Sequence, residues 1–292
     1  MRILITGGTG FIGRHLVPML DQHQVMQISR ETGSSALTNL KILKADLTCP
    51  DSWKNQVKKF SPDTCIHLAW LGLPDYSFPK CIENFDINMD LLDFLSNIEC
   101  QRIIIAGTCW EYGDLQGKVS ESDLPGPTNL FASFKSSIRI IGEHLANSKG
   151  VELLWGRIFF VYGEGQRSTS LIPDCYQSFK SGRKPEIKSP YDVNDFIHVS
   201  DVAKAISALI ETPAISGVFN IGSGKPSKVI DVCNIISDLL NKEGVLQKSE
   251  NSTKASGLWA DISRIREKTG WSPQHTIQTG LAKTLHDFQN NP

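Results

Sequence analysis

The chain has 292 residues, of which 40% are hydrophobic and 21% charged, and this length provides one large domain or two modest ones with a full core. Its 30 basic and 31 acidic residues give a formal net charge of −1, so no basic excess favours nucleic acid or a membrane surface as a partner. No apolar run approaches the roughly 20 residues that a membrane helix needs.

Short apolar strands alternate with amphipathic helices through the first half of the chain. Strands are predicted over residues 2–6, 25–29, 40–44, 64–68 and 102–106, and residues 151–156 lead into a sixth. Helices are predicted between them over residues 11–20, 51–60, 81–97 and 132–148. This alternation is typical of βαβ units, so the expected fold class is α/β, with a doubly wound parallel sheet.

The pattern loosens after Tyr162. Residues 163–190 carry scattered polar residues with several Gly, Ser and Pro, which indicates a loop-rich region. A helix capped by Ser200 is then predicted over residues 200–211. It is followed by a strand over residues 218–221 and by helices over residues 228–241, 261–270 and 276–288.

A glycine turn joins the first strand to the first helix. Residues 5–13 are Ile-Thr-Gly-Gly-Thr-Gly-Phe-Ile-Gly. Gly7 permits the tight turn, Gly10 removes a side chain where a pyrophosphate approaches the backbone, and Gly13 lets the helix pack close to the strand. The helix N-terminus supplies free N–H groups for the phosphates. The strand–turn–helix context favours dinucleotide binding over a merely flexible glycine loop.

This turn resembles the signature of the extended short-chain dehydrogenases/reductases, the nucleotide-sugar epimerase/dehydratase group. Further landmarks of that family recur in order along nearly the whole chain. They fall at residues 45–47, 67–69, 88, 107–113, 135, 157–163, 195–203, 219–224 and 270–273. The resemblance implies a Rossmann fold, a nicotinamide cofactor and a nucleotide-sugar substrate.

These patterns divide the chain into two parts. Residues 1–162 are expected to form a dinucleotide-binding domain, to which residues 193–224 return. Residues 163–192 and 225–292 are expected to form a smaller, discontinuous substrate-binding region. That remainder is small enough that we expect it to need no core of its own.

The end of the second strand decides between NAD and NADP. A carboxylate there would hydrogen-bond the ribose hydroxyls and repel a 2′-phosphate, which favours NAD. Here the strand ends in Ser29, which can donate a hydrogen bond, and Arg30, which can pair with a phosphate. We therefore expect NADP(H); NAD(H) is the alternative if Glu31 is the ribose-binding acid.

The resemblance implies further cofactor contacts. Asp46 would accept a hydrogen bond from the adenine amino group, and Lys135 would hold the nicotinamide ribose. Without the resemblance, Asp46 is a turn residue and Lys135 a solvated helix lysine. The expected cofactor-binding residues are Gly7, Gly10, Phe11, Ile12, Gly13, Ser29, Arg30, Asp46, Leu47, Leu68, Ala69, Trp70, Lys135 and Phe159.

Reduction of a ketone needs an acid at the carbonyl oxygen and a second donor that polarises it. In the family that this chain resembles, the acid is the tyrosine of a Tyr-x-x-x-Lys pair on one helix face, and a Ser or Thr after the fifth strand is the second donor. Thr108 and Lys135 match these places as catalytic residues. Phe131 stands where the tyrosine is expected, and phenylalanine cannot transfer a proton.

Three explanations of Phe131 stay open. The first is an engineered Tyr→Phe substitution at an otherwise intact site. In the second, the natural enzyme uses another group, such as Cys109, Glu111, Tyr112 or His198. In the third, the protein is a non-catalytic NADP(H)-binding sensor or scaffold. The persistence of the other landmarks favours the first.

The expected substrate-binding residues are Asn88, Thr108, Trp110 and Arg167. Trp110 either lines a sugar pocket or packs in the core. Sugar 4,6-dehydratases of the family carry an Asp-Glu pair directly after the threonine, and Cys109 and Trp110 stand there instead. This departure disfavours a dehydratase of that type.

The expected function is therefore reduction of a 4-keto-6-deoxy sugar nucleotide by an NADP(H)-dependent oxidoreductase, with a nucleotide-sugar 4-epimerase as the enzymatic alternative. Seven separated cysteines form no C-x-x-C pair, so we expect free thiols, no metal site and a cytoplasmic protein. The resemblance also implies a homodimer through the helices at residues 81–97 and 132–148.

Overall fold

The computed structural model describes residues 1–31, 37–242 and 257–290. The strands in chain order are β1 (Arg2–Thr6), β2 (Gln24–Ser29), β3 (Leu40–Lys44), β4 (Thr64–His67), β5 (Arg102–Thr108), β6 (Gly117–Val119), β7 (Glu152–Ile158), β8 (Phe160–Tyr162), β9 (Val193–Asn194), β10 (Phe196–His198), β11 (Gly217–Ile221), β12 (Ser227–Lys228) and β13 (Gly257–Ala260). The α-helices are α1 (Gly13–Leu16), α2 (Lys54–Phe60), α3 (Phe78–Ser96), α4 (Leu130–Lys149), α5 (Leu171–Lys180), α6 (Val199–Glu211), α7 (Val229–Leu239), α8 (Ser263–Thr269) and α9 (Ile277–Asn290). No helix in these ranges is long and apolar enough to cross a membrane.

A seven-stranded sheet forms the centre of the fold. Its strands lie in the order β11-β7-β5-β4-β1-β2-β3, and every neighbouring pair is parallel. Ile3 and Ile5 of β1 pack with α1 and α6 on one face, whereas Leu4 packs with α2, α3 and α4 on the other. Strands that are buried on both faces require this continuous apolar composition. The predicted α/β doubly wound sheet is confirmed, with its strands within two residues of the predicted bounds.

A third hydrophobic cluster joins α5, α7 and α9, which together we call the smaller lobe. Phe179 of α5, Ile236 of α7 and Leu281 of α9 belong to this cluster, which is separate from the two clusters on the faces of the large sheet. The cluster also contains Tyr162 and Phe196 of the expected dinucleotide-binding domain, so the apolar faces of these three helices pack together with residues of the larger part. The remaining strands form two small sheets, with the orders β12-β9-β13-β6 and β10-β8.

The segment over residues 193–224 is shared between these sheets. Its β9 joins the four-stranded sheet and its β10 pairs with β8, whereas its β11 forms an edge of the central sheet beside β7. The buried carboxylate of Asp195 connects the parts, because it accepts backbone N–H bonds from Ser223 at 2.6 Å, Gly224 at 2.9 Å and Ala260 at 3.0 Å.

Prolines divide two of the predicted helices. The continuous helix predicted over residues 11–20 is wrong, because α1 gives way to a 3-10 helix at Val17–Leu20. Pro18 lies in the first turn of that segment and has no N–H with which to continue the α-helical bonds. The helix predicted over residues 51–60 likewise starts as a 3-10 turn at Pro50–Ser52, and α2 begins only at Lys54.

Two predictions after Tyr162 are also wrong. The region over residues 163–190 contains a regular helix, α5, whose apolar face was obscured by the polar residues between Ile172, Cys175, Tyr176 and Phe179. Ser200 does not cap α6, because it lies inside that helix. The N-cap is His198, whose Nδ1 accepts the Ser200 N–H at 3.2 Å.

Candidate active site

The glycine turn closes tightly against the end of β4. Gly7 has a φ of +73°, and a Cβ on it would lie 2.7 Å from the backbone nitrogen of Ala69. A Cβ on Gly13 would lie 2.2 Å from the carbonyl oxygen of Gly7. Both separations are below van der Waals contact, so the turn that brings α1 against β1 and β4 depends on glycine at these two positions.

A cleft of ≈ 360 Å³ opens between this turn and the ends of β2, β3 and β4. It brings together twelve of the fourteen predicted cofactor-binding residues. They are Gly7, Gly10, Phe11, Ile12, Gly13, Ser29, Arg30, Asp46, Leu47, Leu68, Ala69 and Trp70. Thr9, Leu71 and Leu73 also line the cleft and were not predicted. A concave cleft with glycine backbone on one wall fits the phosphates of a dinucleotide.

Phe159 and Lys135 are the two predicted cofactor residues outside that lining. Phe159 is buried in the core, with its ring 6.4 Å from that of Tyr112. Lys135 lies next to the cleft rather than in it, since its Nζ is 4.3 Å from the ring centre of Trp70, which does line the cleft.

Arg30 and Asp46 both line the cleft. Asp46 forms a turn, because its Oδ1 accepts hydrogen bonds from the Thr48 backbone at 2.9 Å and the Thr48 hydroxyl at 2.8 Å. These bonds lower the pKa of Asp46, and the charge of Arg30 lowers it further. Asp46 therefore combines the turn role with a place in the cleft wall. Glu31 is exposed, and its backbone N–H donates to the Ser29 hydroxyl.

Thr108 ends β5 at the carboxyl edge of the sheet, where ligand sites form in α/β proteins. Its Oγ1 accepts the backbone N–H of Trp110 at 3.3 Å. Its own N–H donates to Glu111 Oε1 at 3.0 Å, which completes a capping box at the following 3-10 turn. The threonine is thus held from both sides.

Glu111 is a structural carboxylate, not an acid/base group as one explanation of Phe131 supposed. It is 0% exposed and also accepts hydrogen bonds from Trp155 Nε1 at 2.8 Å and Arg157 Nε at 3.1 Å. Arg139 of α4 lies 3.8 Å away. Both of its oxygens are therefore occupied by groups of the protein, and neither faces the cleft. In the sequence, Glu111 follows the two positions where the 4,6-dehydratases of the family that this chain resembles carry their Asp-Glu pair, and no local pattern indicated its buried partners.

The other groups that could have replaced the tyrosine are also buried, and two of them contact neighbouring side chains. The Tyr112 hydroxyl lies 2.7 Å from Asn220 Oδ1, and burial raises its pKa to about 12. Cys109 is buried, which raises its pKa. His198 stacks on His275, with ring centres 4.5 Å apart, and burial lowers its pKa to about 3. The structure therefore gives none of these three a place as the acid.

Lys135 and Phe131 lie one turn apart on α4, as predicted from their spacing. Lys135 is buried and its Nζ donates to the carbonyl oxygen of Ala106 in β5 at 2.8 Å. Burial lowers the pKa of Lys135 to about 8. The Phe131 ring lies in an aromatic cluster, with ring-centre distances of 4.9 Å to Trp70, 5.0 Å to Tyr76 and 5.9 Å to Trp110. No sequence pattern marked Tyr76.

A second cavity of ≈ 720 Å³ lies in the smaller lobe. It is bounded by β8, the start of α5 and residues 186–196. Arg167 is exposed next to this cavity but does not line it, whereas its neighbours Gln166 and Thr169 do. Trp110 is 37% exposed beside the aromatic cluster, and Asn88 is buried within α3, where it donates to the carbonyl oxygen of Asn84.

Comparisons with known proteins cover most of the chain. The profile of the NAD dependent epimerase/dehydratase family matches residues 3–222. The dTDP-4-dehydro-6-deoxyglucose reductase of Escherichia coli is 28% identical, over 98% of this chain and 97% of the relative. An uncharacterised UDP-glucose epimerase of Bacillus subtilis (strain 168) is 26% identical, over 98% and 97%. The solved structure of a UDP-N-acetylglucosamine 4-epimerase from Methanobrevibacter ruminantium, bound to UDP-N-acetylmuramic acid, is 26% identical with a TM-score of 0.85, over 100% and 99%.

The buried amine of Lys135 predicts a specific pH dependence of stability. Its pKa is about 8 in the folded protein and 10.5 when solvated, so between these values the unfolded chain holds a proton that the folded chain lacks. Stability therefore rises with pH in this window, by about 1.4 kcal/mol per unit and about 3 kcal/mol in total. Urea unfolding at several pH values should show this rise, and Lys135→Met should lose it. The exposed Lys58→Met is the control, and parallel profiles for the parent and Lys135→Met would contradict the assignment.

Proposed function

This chain belongs to the NAD dependent epimerase/dehydratase family, and from that premise we propose that it is an NADP(H)-dependent oxidoreductase that reduces the 4-keto group of a 4-keto-6-deoxy sugar nucleotide. The observation that carries the proposal is the position of Thr108 and Lys135 at one end of β5. Lys135 bonds to Ala106 of that strand and also faces Trp70 in the wall of the glycine cleft. The E. coli relative, at 28% identity, is a reductase of a 4-keto sugar nucleotide by name.

In this proposal the two residues stabilise the reacting oxygen. A bound NADPH supplies the hydride that the ketone carbon gains. Because Thr108 Oγ1 accepts the Trp110 N–H, the hydroxyl hydrogen of Thr108 remains available for the substrate's carbonyl oxygen. The Lys135 ammonium, held in a desolvated position, favours the negative charge that develops on that oxygen.

Replacing Thr108 with valine tests the proposal, since it keeps the branched shape and removes the hydroxyl. We expect kcat for NADPH oxidation with 4-keto-6-deoxy sugar nucleotides to fall by about 10²–10³-fold, with the Kd for NADPH unchanged. Thr212→Val, which removes a hydroxyl bonded within α6, is the matched control. The proposal is wrong if neither the chain nor its Phe131→Tyr variant consumes NADPH with any of these nucleotides.

The NADP(H) preference rests on Arg30. Its place in the cleft wall beside Ser29 supports a contact with a 2′-phosphate, and Glu31 is absent from that wall. We expect Arg30→Ala to weaken NADPH binding about 10–100-fold, because one charge-assisted pair is lost, and to change NADH binding less than about threefold. Fluorescence titration measures both, with Glu31→Ala as the control. Equal losses for the two cofactors would contradict the preference.

A nucleotide-sugar 4-epimerase is the second candidate, and the 26% identical 4-epimerase structure favours it. An epimerase returns the hydride to the same sugar, so it produces an isomerised sugar without net oxidation of NADPH. Chromatography of the sugar products, alongside NADPH absorbance, separates the two activities.

We also propose that two copies associate through α3 and α4. These helices pack against each other and leave large apolar side chains exposed, namely Phe78, Ile82, Ile140 and Ile141. Exposed apolar side chains grouped on adjacent helices indicate an interface. Light scattering should give twice the mass of the chain, and a monomer mass at micromolar concentration would contradict the dimer.

A further inference from the structure

The proposed reduction needs a proton donor, and Phe131 has no hydroxyl with which to donate a proton. Cys109, Glu111, Tyr112 and His198 are each buried, and the last three also have hydrogen-bond partners within the protein. Lys135 also lies near the Phe131 ring, at 5.9 Å, but its Nζ donates to the Ala106 carbonyl oxygen. The aromatic rings that contact Phe131 surround the place where a phenol is missing, and one of these rings is itself a phenol.

Tyr76 is the hydroxyl-bearing residue in that position. Its ring centre lies 5.0 Å from that of Phe131 and 5.8 Å from that of Trp110. The ring of none of the other four tyrosines, all in the described part of the chain, contacts Phe131. Tyr76 is half-buried, and within the described ranges no hydrogen-bond partner occupies its hydroxyl.

The segment that carries Tyr76 connects the cofactor cleft to the catalytic strand. It begins at Trp70 and Leu71 in the cleft wall. At its other end the Tyr76 ring contacts Trp110, whose backbone N–H bonds to Thr108 Oγ1 at 3.3 Å. Tyr76 thus follows the cleft-lining residue Leu73 by three positions, and its ring packs on the tryptophan whose backbone holds Thr108.

Three contacts hold this segment in place. Buried Asn84 of α3 accepts the Leu71 N–H at 2.7 Å and donates to the Leu71 carbonyl oxygen at 3.0 Å. The Asp75 carboxylate accepts the Ser77 N–H at 2.8 Å. The Cys81 thiol lies 3.6 Å from the Tyr76 carbonyl oxygen. The backbone on both sides of Tyr76 is therefore fixed before a ligand binds, which is the preorganisation that a general acid requires.

We propose that Tyr76 replaces the missing tyrosine at position 131 as the proton donor of this enzyme, which rests on the ketoreductase function proposed above. The ketone carbon gains a hydride from the reduced nicotinamide, and the electron pair of the broken carbonyl π bond takes the proton from Tyr76 Oη. The ketone is reduced to an alcohol and the nicotinamide is oxidised. Tyr76 then regains its proton from water, which its half-exposed position admits.

The test combines Tyr76→Phe with Phe131→Tyr. We expect Tyr76→Phe to lower kcat by about 10²–10⁴-fold, the usual contribution of general acid catalysis, with little change in the Kd for NADPH. Adding Phe131→Tyr to Tyr76→Phe should restore most of the loss, because it returns a phenol to the same aromatic cluster. A residue that only packs against Phe131 would show no such rescue. Tyr176→Phe, in the smaller lobe's core, is the matched control.

A second readout does not depend on turnover. Calorimetry on the cofactor-free protein should show that Tyr76→Phe weakens binding of the keto-sugar nucleotide by about 5–10-fold, since one hydrogen bond to its carbonyl oxygen is lost. Tyr176→Phe should leave this affinity unchanged.

The outcomes separate the two proposals. If the parent protein is active and Tyr76→Phe is equally active, the proposed role of Tyr76 is wrong, whereas the proposed ketoreductase function stands. Activity in Phe131→Tyr but not in the parent also overturns it, and shows a site silenced at position 131. No NADPH consumption by the parent or by Phe131→Tyr overturns the ketoreductase function itself.

Discussion

The arrangement of the candidate active site depends on one buried carboxylate. Glu111 is fully buried, and its oxygens lie within 3.1 Å of the Thr108 N–H, the Trp155 indole and the Arg157 guanidinium. A charge without solvent must be paired, and its loss would leave Arg157 buried without its partner. These bonds fix the end of β5 against β7, and Arg139 brings α4 to the same carboxylate. The helix that carries Phe131 and Lys135 is thereby held against the strand that ends in Thr108.

That arrangement leaves little room for change around it. A Cβ on Gly107 would lie 2.1 Å from Trp155 Nε1 and 2.7 Å from Glu111 Oε1, so the residue before Thr108 must be glycine. Lys135 reaches the same strand through Ala106. The threonine and the lysine are therefore placed by backbone and buried groups that a ligand does not touch, which is how a site is kept preorganised.

The aromatic cluster gives Phe131 a physical context. Trp70, Tyr76 and Trp110 surround its ring, and the Lys135 ammonium lies over the face of Trp70. The aromatic face of Trp70 stabilises the Lys135 ammonium, which has no tyrosine hydroxyl at position 131 beside it. Burial acts in the opposite direction and lowers the pKa of Lys135. The candidate site thus has the lysine and the threonine. In the proposal, the hydroxyl that donates the proton is on Tyr76 instead of on residue 131, and both residues belong to the same aromatic cluster.

The sequence by itself determined the features that depend on near neighbours in the chain. The alternation of apolar runs with amphipathic helices predicted the parallel sheet. The spacing of Gly7 and Gly13 predicted the tight turn between β1 and α1. The four-residue spacing of Phe131 and Lys135 predicted that both lie on one face of a helix. Local polar composition concealed α5, and prolines shortened helices that periodicity alone extended. Only the tertiary structure decided the partners of Glu111 and the contact of Tyr76 with Phe131. These residues meet because parallel strands bring their carboxyl ends to one edge of the sheet, and the contacts made there join segments that no local pattern relates.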